Sequence, residues 1–409
     1  MAASFHRPFE DRPFRRLVWG LVALTGCIGV IVLGGLLAAQ DPPKAGFDLN
    51  LILDAGRRVA AGTSPYLAGA VGSGTPVESL FFSYPPPVAQ AASLIGGLSG
   101  ALVLTILAGL ASIGFGFVAA TLARSARAAG SSSSGDVVDV VLPAVALAPF
   151  AFPFAVAILF GNLDATFPFV YGALLIGVTG GSRGWQVGGG VALGIVTVAK
   201  VHPGALLVWL AIAGLRARSS TSGAARTSGS ARPAEWAILT AALGTMAVVV
   251  AASLAVGGVG PWSDYLGVVR SASQADIVTP LNIGPASQLA LITGQTALAG
   301  QVAPIVGVLA VLAAAIAGWF IRSRGLSFAA GTAASLVVLP VTWFHYPVAF
   351  LPLAVHAWSG ARGGAGARST ASLILAALVV AGLAIVLPVA VWLAVVLVVA
   401  AERVGRANG

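Results

Sequence analysis

Apolar and polar positions alternate along this chain in long blocks, and the blocks carry most of what the sequence says. Runs of Ala, Val, Leu, Ile and Gly recur from Leu17 to Ala401, each closed by Pro, Gly, His or a short charged stretch. A helix needs about 20 apolar residues to cross the hydrocarbon of a bilayer, and shorter pieces cross only where protein buries them. On that measure the candidate spans are Leu17–Ala39, Ser99–Leu122, Val140–Phe160, Phe167–Val178, Val187–Ala199, Gly204–Leu215, Glu235–Val256, Gln301–Ile321, Phe328–Thr342, Tyr346–Trp358, Ser372–Val386 and Val389–Ala401. The expectation is an all-α polytopic membrane protein of about 12 transmembrane helices, several short enough to predict broken or re-entrant segments. Pro87 to Gly97 adds an interfacial or half-spanning piece.

The first run follows "HRPFEDRPFRR" and has the charge pattern of a signal sequence, but its core exceeds the roughly 7–15 apolar residues of a cleaved signal. It reads as a retained span. The even count returns both termini to one side and leaves two substantial segments on the other, residues 40–90 and 257–300, the first with an interfacial helix. "RSARAAGSSSSGD" and "RARSSTSGAARTSGSARP" read as flexible linkers. No internal repeat, soluble domain or nucleotide-binding glycine pattern interrupts the series, so residues 1–409 read as one membrane domain.

Composition agrees: 58% of residues are hydrophobic and 9% charged, against the usual quarter. The net charge of +9 would suit a nucleic-acid partner, but its placement argues otherwise. Lys44, Arg57, Arg58, Lys200 and Arg270 fall in one set of alternate segments and every other Lys and Arg in the opposite set. That asymmetry is the positive-inside rule; it puts both termini in the cytoplasm and makes the basic excess a membrane face. Cys27 is the only cysteine and supports no intrachain disulfide.

Asp41, Asp48, Asp54, Glu78, Asp164, Asp264 and Asp276 map to the non-cytoplasmic side, with Lys200, His202 and His345. From Asn50 to Ala61, Leu51, Ile52, Ala55 and Val59 recur at near-helical spacing; Gly62 stops the helix and "TSPY" turns the chain. Arg57 and Arg58 follow Asp54 by three and four residues, the spacing of an ion pair on a helix lying at the membrane surface. Asp48 is open to two readings from local sequence, a cap of that helix or a catalytic carboxylate. "SYPPPVAQ" forms a rigid return to the membrane, with Tyr84 at the interface. Asn162 and Asp164 sit in the tight connection "FGNLDATFP". Lys200 and His202 sit between two short apolar runs, where the lysine either snorkels or reaches an interfacial phosphate. His345, in "LPVTWFHYPVAFLP", is an interfacial residue or a member of a pocket that these breaks surround.

The series resembles a known family. An Asp after the first span, "AGRRVAAGTSPY", "YPP", "GN", Lys-x-His-Pro and the late "LPVTWFHY" are similar, in order and sidedness, to glycosyltransferase family 87. That family belongs to the GT-C superfamily of polytopic enzymes and includes polyprenol-phosphate-mannose-dependent α-mannosyltransferases and polyprenol-phosphate arabinofuranosyltransferases. The resemblance runs from about Asp48 to about His345. It implies a GT-C-like fold with Asp48 as catalytic base and His345 beside it. It matches Lys200 to the lysine of the family's Lys-x-x-Pro segment. A donor phosphate needs cations, which makes Arg57 and Arg58 further candidates for holding it, together with His202 and Tyr84; Asp54, Glu78 and Asn162 are other candidates. Gly161-Asn162 stands where the family often has Gly-Gln, and "NIGPASQ" where it often has a "GNQS"-like loop.

The expectation is then inverting transfer of a sugar, mannose ahead of arabinofuranose, from a polyprenyl phosphate to a membrane glycolipid or envelope glycan. It would take place on the non-cytoplasmic face of a bacterial plasma membrane. No cofactor is expected; some relatives in the wider superfamily hold a divalent ion on acidic residues of the first outer loop, but no spacing here demands one. No nucleic-acid partner is expected. The competing readings are a lipid or solute transporter, which usually carries charge near the bilayer midplane, and a non-catalytic scaffold, which would not need Asp48.

Overall fold

The computed structural model describes residues 12–41, 43–67, 71, 81–128, 137–221, 233–275 and 277–360. Its elements are helical, with no strand among these residues and a single isolated bridge between Asn282 and Trp343. In chain order the helices are α1 (Arg12–Ala38), α2 (Phe47–Ala60), α3 (Pro86–Ser93), α4 (Gly100–Ala128), α5 (Val138–Leu147), α6 (Phe152–Phe160), α7 (Phe167–Thr179) and α8 (Arg183–Lys200). Then come α9 (Ala205–Thr221), α10 (Ala234–Gly257), α11 (Gly260–Ala275), α12 (Pro285–Thr293), α13 (Ala297–Phe320), α14 (Arg324–Val337) and α15 (Leu351–Gly360). Short 3-10 turns join α5 to α6, α6 to α7 and α8 to α9, and precede α15.

By length and composition α1, α4, α10 and α13 can each cross a membrane, and α5 with α6 makes a fifth if the bent pair is one span. The 27 residues of α1 extend about 40 Å. Leu17, Leu21, Leu24, Ile28, Val32 and Leu36 form an exposed apolar stripe along it, the inverse of a water-soluble helix. The remaining predicted spans within the described residues are shorter helices. The 13-residue α7, about 20 Å long, is buried along almost its whole length, and Phe167, Tyr171 and Leu175 sit in the main core with Phe115, Phe154 and Phe328. The predicted spans Ser372–Val386 and Val389–Ala401, and most of both linkers, lie outside the described residues.

The predicted span Val140–Phe160 is bent by 62° between α5 and α6. Prolines explain the break: Pro149 and Pro153 cannot donate the backbone bonds a continuous helix needs, and Ala151 between them is extended. Close packing elsewhere depends on missing side chains. A Cβ on Gly194 of α8 would come within 2.6 Å of the Ala242 carbonyl oxygen of α10, and one on Gly190 would overlap the Ile238 carbonyl. That four-residue spacing of glycines lets the two backbones meet, as small residues do between helices in membranes. Gly56 plays the same part where α2 lies on α3: its Cβ would fall 2.6 Å from the Ala92 carbonyl carbon.

The bundle has two chemically distinct ends. At one, Arg16 near the start of α1 pairs with Asp139 of α5 at 2.7 Å, Arg324 of α14 lies 3.9 Å from Glu235 of α10, and Arg216 of α9 donates to the Ile321 carbonyl. At the other end of the same helices, the turns after α6 and α8 and the residues before α15 come together. The two long predicted loops contain α2 and α3, and α11 and α12. They pack on each other through Tyr66, whose ring lies 6.2 Å from Tyr265, and through a 2.8 Å hydrogen bond from Ser64 to Asp264.

Candidate active site

The local chain explains how the polar groups are held. α6 ends at Gly161, whose positive φ of 66° closes the helix, and a Cβ there would collide with Leu49 of α2. Asn162 follows, and its side-chain oxygen accepts the Asp164 backbone N–H at 3.0 Å, an Asx turn that opens the 3-10 turn. Its amide nitrogen donates to Asp48 Oδ2. The same Asn162 oxygen accepts from Lys200 Nζ at 2.7 Å, and Lys200 also donates to Asp164 Oδ1 at 2.7 Å. One buried amide thus joins a carboxylate on α2 to an ammonium at the end of α8.

Asp48 is not the cap of its helix. α2 begins at Phe47 after Gly46, whose left-handed backbone takes the N-cap position with no side-chain bond. Asp48 lies in the first turn, where the helix dipole favours a negative charge, and it is partly exposed. The capping reading is therefore set aside.

Behind this line Asp164 is fully buried. Burial opposes its ionisation, but the Lys200 ammonium and His345 outweigh burial and hold the carboxyl down at about 2. His345 Nε2 sits 3.1 Å from Asp164 Oδ2, within ion-pair distance but off the axis of a hydrogen bond, so neither atom has an aligned partner. His202 is also fully buried; its ring stacks on Tyr346 at 4.6 Å and meets the edge of Phe167 at 5.4 Å. Burial pushes its pKa down to about 3, so it is a neutral packing ring near pH 7. Lys200 Nζ lies 4.6 Å from the Tyr346 ring centroid and 5.8 Å from that of Tyr84, which places Tyr84 beside the cluster.

Val201, between Lys200 and His202, has φ 40° and ψ −51°, close to the rare γ-turn region that a β-branched residue enters only under constraint. The strain lies where the chain must turn Lys200 and His202 into one cluster from either side of Val201.

Other expected members are placed elsewhere. Arg57 pairs with Asp54 on the exposed face of α2 and approaches the Gly96 carbonyl at 3.5 Å. Arg58 donates to the Pro65 carbonyl at 2.6 and 3.1 Å and fixes the "TSPY" turn. None of the three reaches Lys200 in this arrangement. Glu78 and Asp276 lie outside the described residues, and among those described no three His, Cys, Asp or Glu side chains converge as metal ligands.

Two residues gain roles that the sequence had not assigned. Asp164 is the centre of the buried charge cluster; the Asn-x-Asp spacing was its only local signal. Asn282 uses all its hydrogen-bonding capacity. Its amide donates to the Ile277 and Pro340 carbonyls, and its oxygen accepts from Gly284 and Thr342 N–H groups, all at 2.9–3.1 Å. It thereby pins the segment that carries His345.

The sequence pattern of glycosyltransferase family 87 matches residues 81–347, well over half of the chain. The chain belongs to glycosyltransferase family 87. It is therefore a glycosyltransferase, acting on a sugar donor and an acceptor, and its apolar helices make it a membrane protein. Tyr84, Asn162, Asp164, Lys200, His202 and His345 fall within the matched region; Asp48 precedes it. No curated protein matches the chain.

Proposed function

We propose that this family 87 glycosyltransferase moves a sugar, mannose ahead of arabinofuranose, from a polyprenyl phosphate to a hydroxyl of a membrane glycolipid or envelope glycan. Transfer takes place with inversion on the non-cytoplasmic face of a bacterial plasma membrane. The carrying observation is the Asp48–Asn162–Lys200 line: a partly exposed carboxylate and an ammonium on opposite ends of one amide.

Asp48 accepts the proton of the attacking hydroxyl as that oxygen bonds to the anomeric carbon. The bond from that carbon to the phosphate oxygen breaks, and its electron pair leaves with the polyprenyl phosphate. A single displacement inverts the centre, so a β-linked donor gives an α-linkage. Lys200 has three N–H donors, two of them engaged by Asn162 and Asp164, and the third meets the charge developing on the leaving phosphate. The arginine distribution supports the assignment of faces: Arg16, Arg216 and Arg324 gather at the opposite end of the bundle. Clustering of charge at one end, rather than midway along the helices, favours an interfacial enzyme over a transporter.

The test is transfer by purified protein in lipid from radiolabelled polyprenyl-phosphate mannose to mixed envelope glycolipids. Asp48→Asn should lose at least about a hundredfold in kcat with little change in KM. Equal transfer by wild type and variant would remove Asp48 as the base. Transfer from the arabinofuranosyl donor alone would replace mannose, and transfer from neither would refute the donor class.

A further inference from the structure

We propose that Asp164 is a positioning residue: its buried carboxylate keeps Lys200 an ammonium, aimed along the Asn162 amide toward Asp48, and holds His345 in the same cluster. The inference rests on the preceding reading only for what Lys200 then does to a phosphate. Three separate segments meet at this carboxylate. Asp164 comes from the turn after α6, Lys200 from the end of α8 and His345 from the loop before α15, and Asp164 contacts both of the others. Its own place is fixed by the Asx turn of Asn162, so the carboxylate is a fixed charge and not a mobile one.

Lys200 needs such a partner. Its side chain is 9% exposed, and a nearly buried ammonium without a counter-charge loses its proton or drives the fold apart. The titratable groups around it are Asp164 and Asp48, the imidazoles of His202 and His345, and the phenols of Tyr84 and Tyr346, with Tyr171 behind Asp164. Of the two carboxylates only Asp164 touches Lys200; Asp48 is held off by the intervening Asn162 amide. That separation matters chemically. The carboxylate in direct contact with Lys200 holds it as an ammonium, and the second, one amide away, is left to take a proton.

The chain offers a direct readout, because Lys44 and Lys200 are its only lysines and Lys44 is exposed. Protein labelled with [ε-13C]lysine gives two signals in lipid nanodiscs, assigned with Lys44→Arg, and the Cε shift reports each ammonium through a pH titration. In Asp164→Asn the Lys200 signal should titrate at least about one pH unit lower than in wild type, while Lys44 stays put. The alkaline limb of kcat for sugar transfer should move down by the same amount, with KM for the acceptor unchanged. An unchanged Lys200 titration overturns the proposal, and so does a shifted titration with an unshifted rate profile. If wild type transfers no sugar, the donor reading fails, and the lysine titration still decides the role of Asp164. Should Asp164→Asn not fold, Lys200→Met with Asp164→Asn decides: recovery of the melting transition in the double variant identifies an unpaired ammonium as the cause. A double variant as unstable as the single one assigns Asp164 to packing and overturns the inference.

Discussion

Replacing Asn162 with Asp tests the central amide with almost no change of shape. The variant keeps an oxygen to accept the Asp164 N–H and the Lys200 ammonium, which now lies 2.7 Å from an ionised partner. It loses the N–H that Asn162 donates to Asp48 and sets a second carboxylate against the first. Two unit charges about 4 Å apart in a surface-like dielectric repel by about 4 kcal/mol, equivalent to about three pH units. The new carboxylate sits on Lys200 and stays ionised, so the proton taken up by the pair is held on the Asp48 side, where it blocks general base action. The acid limb of kcat/KM for transfer should therefore rise by about three pH units. One unit below the new midpoint the rate falls to about a tenth of its plateau, and on the alkaline side it recovers to within a few-fold of wild type. The assay is sugar transfer in liposomes from about pH 5 to about pH 9, on the order of the window a shift of about three units on a carboxylate would cross, with the melting temperature followed in parallel. A loss of equal size at every pH, or none, would refute the amide's role in presenting an ionised Asp48.

Two further outcomes follow from the packing around the site. His202 is buried as a neutral ring with its pKa at about 3, below its ordinary 6.5, so the stability it confers is complete above pH 6.5 and is lost progressively as pH falls toward 3. His202→Phe keeps a ring against Tyr346 and should flatten the fall in melting temperature between neutral pH and pH 4; an equally steep fall would show that another group titrates there. Gly194→Val, whose Cβ alone would lie 2.6 Å from the Ala242 carbonyl oxygen, should cost about 1–3 kcal/mol by forcing α8 from α10. It should also weaken transfer by displacing Lys200, and an unaltered melting transition would contradict the packing.

Much of the architecture was legible because bilayer physics writes it into runs of residues. The apolar blocks located α1, α4, α10 and α13 and the broken α5–α6 pair, and the prolines of "SYPPPVAQ" fell at the start of α3 as their missing N–H requires. The amphipathic pattern after the first span located α2, but not its first residue. Helix starts are set by whichever residue closes the turn, and here Gly46 does so rather than the more familiar Asp. Arg57 and Arg58 are expected to help hold a donor phosphate. In the fold Arg57 engages Asp54, as its spacing predicts, and Arg58 the Pro65 carbonyl, a contact that only the tertiary structure shows.

The sequence by itself determined that this is a helical membrane glycosyltransferase and that its polar residues fall at breaks between apolar runs. The helical membrane character and the breaks follow from local properties, since transfer free energy acts residue by residue and a proline or glycine ends a helix wherever it stands. The enzyme class came from the likeness to glycosyltransferase family 87. Only the tertiary structure decided which breaks share a site. Asp48, Asn162, Asp164, Lys200 and His345 are scattered over nearly 300 positions of a 409-residue chain, a span longer than an ordinary large domain of about 250 residues. No spacing rule connects them, because their contact depends on how α2, α6, α8 and the loop before α15 stack. The same stacking gave Asp164 its place at the centre, since a carboxylate becomes a positioning group only when the fold removes water from it and supplies the cation it must face.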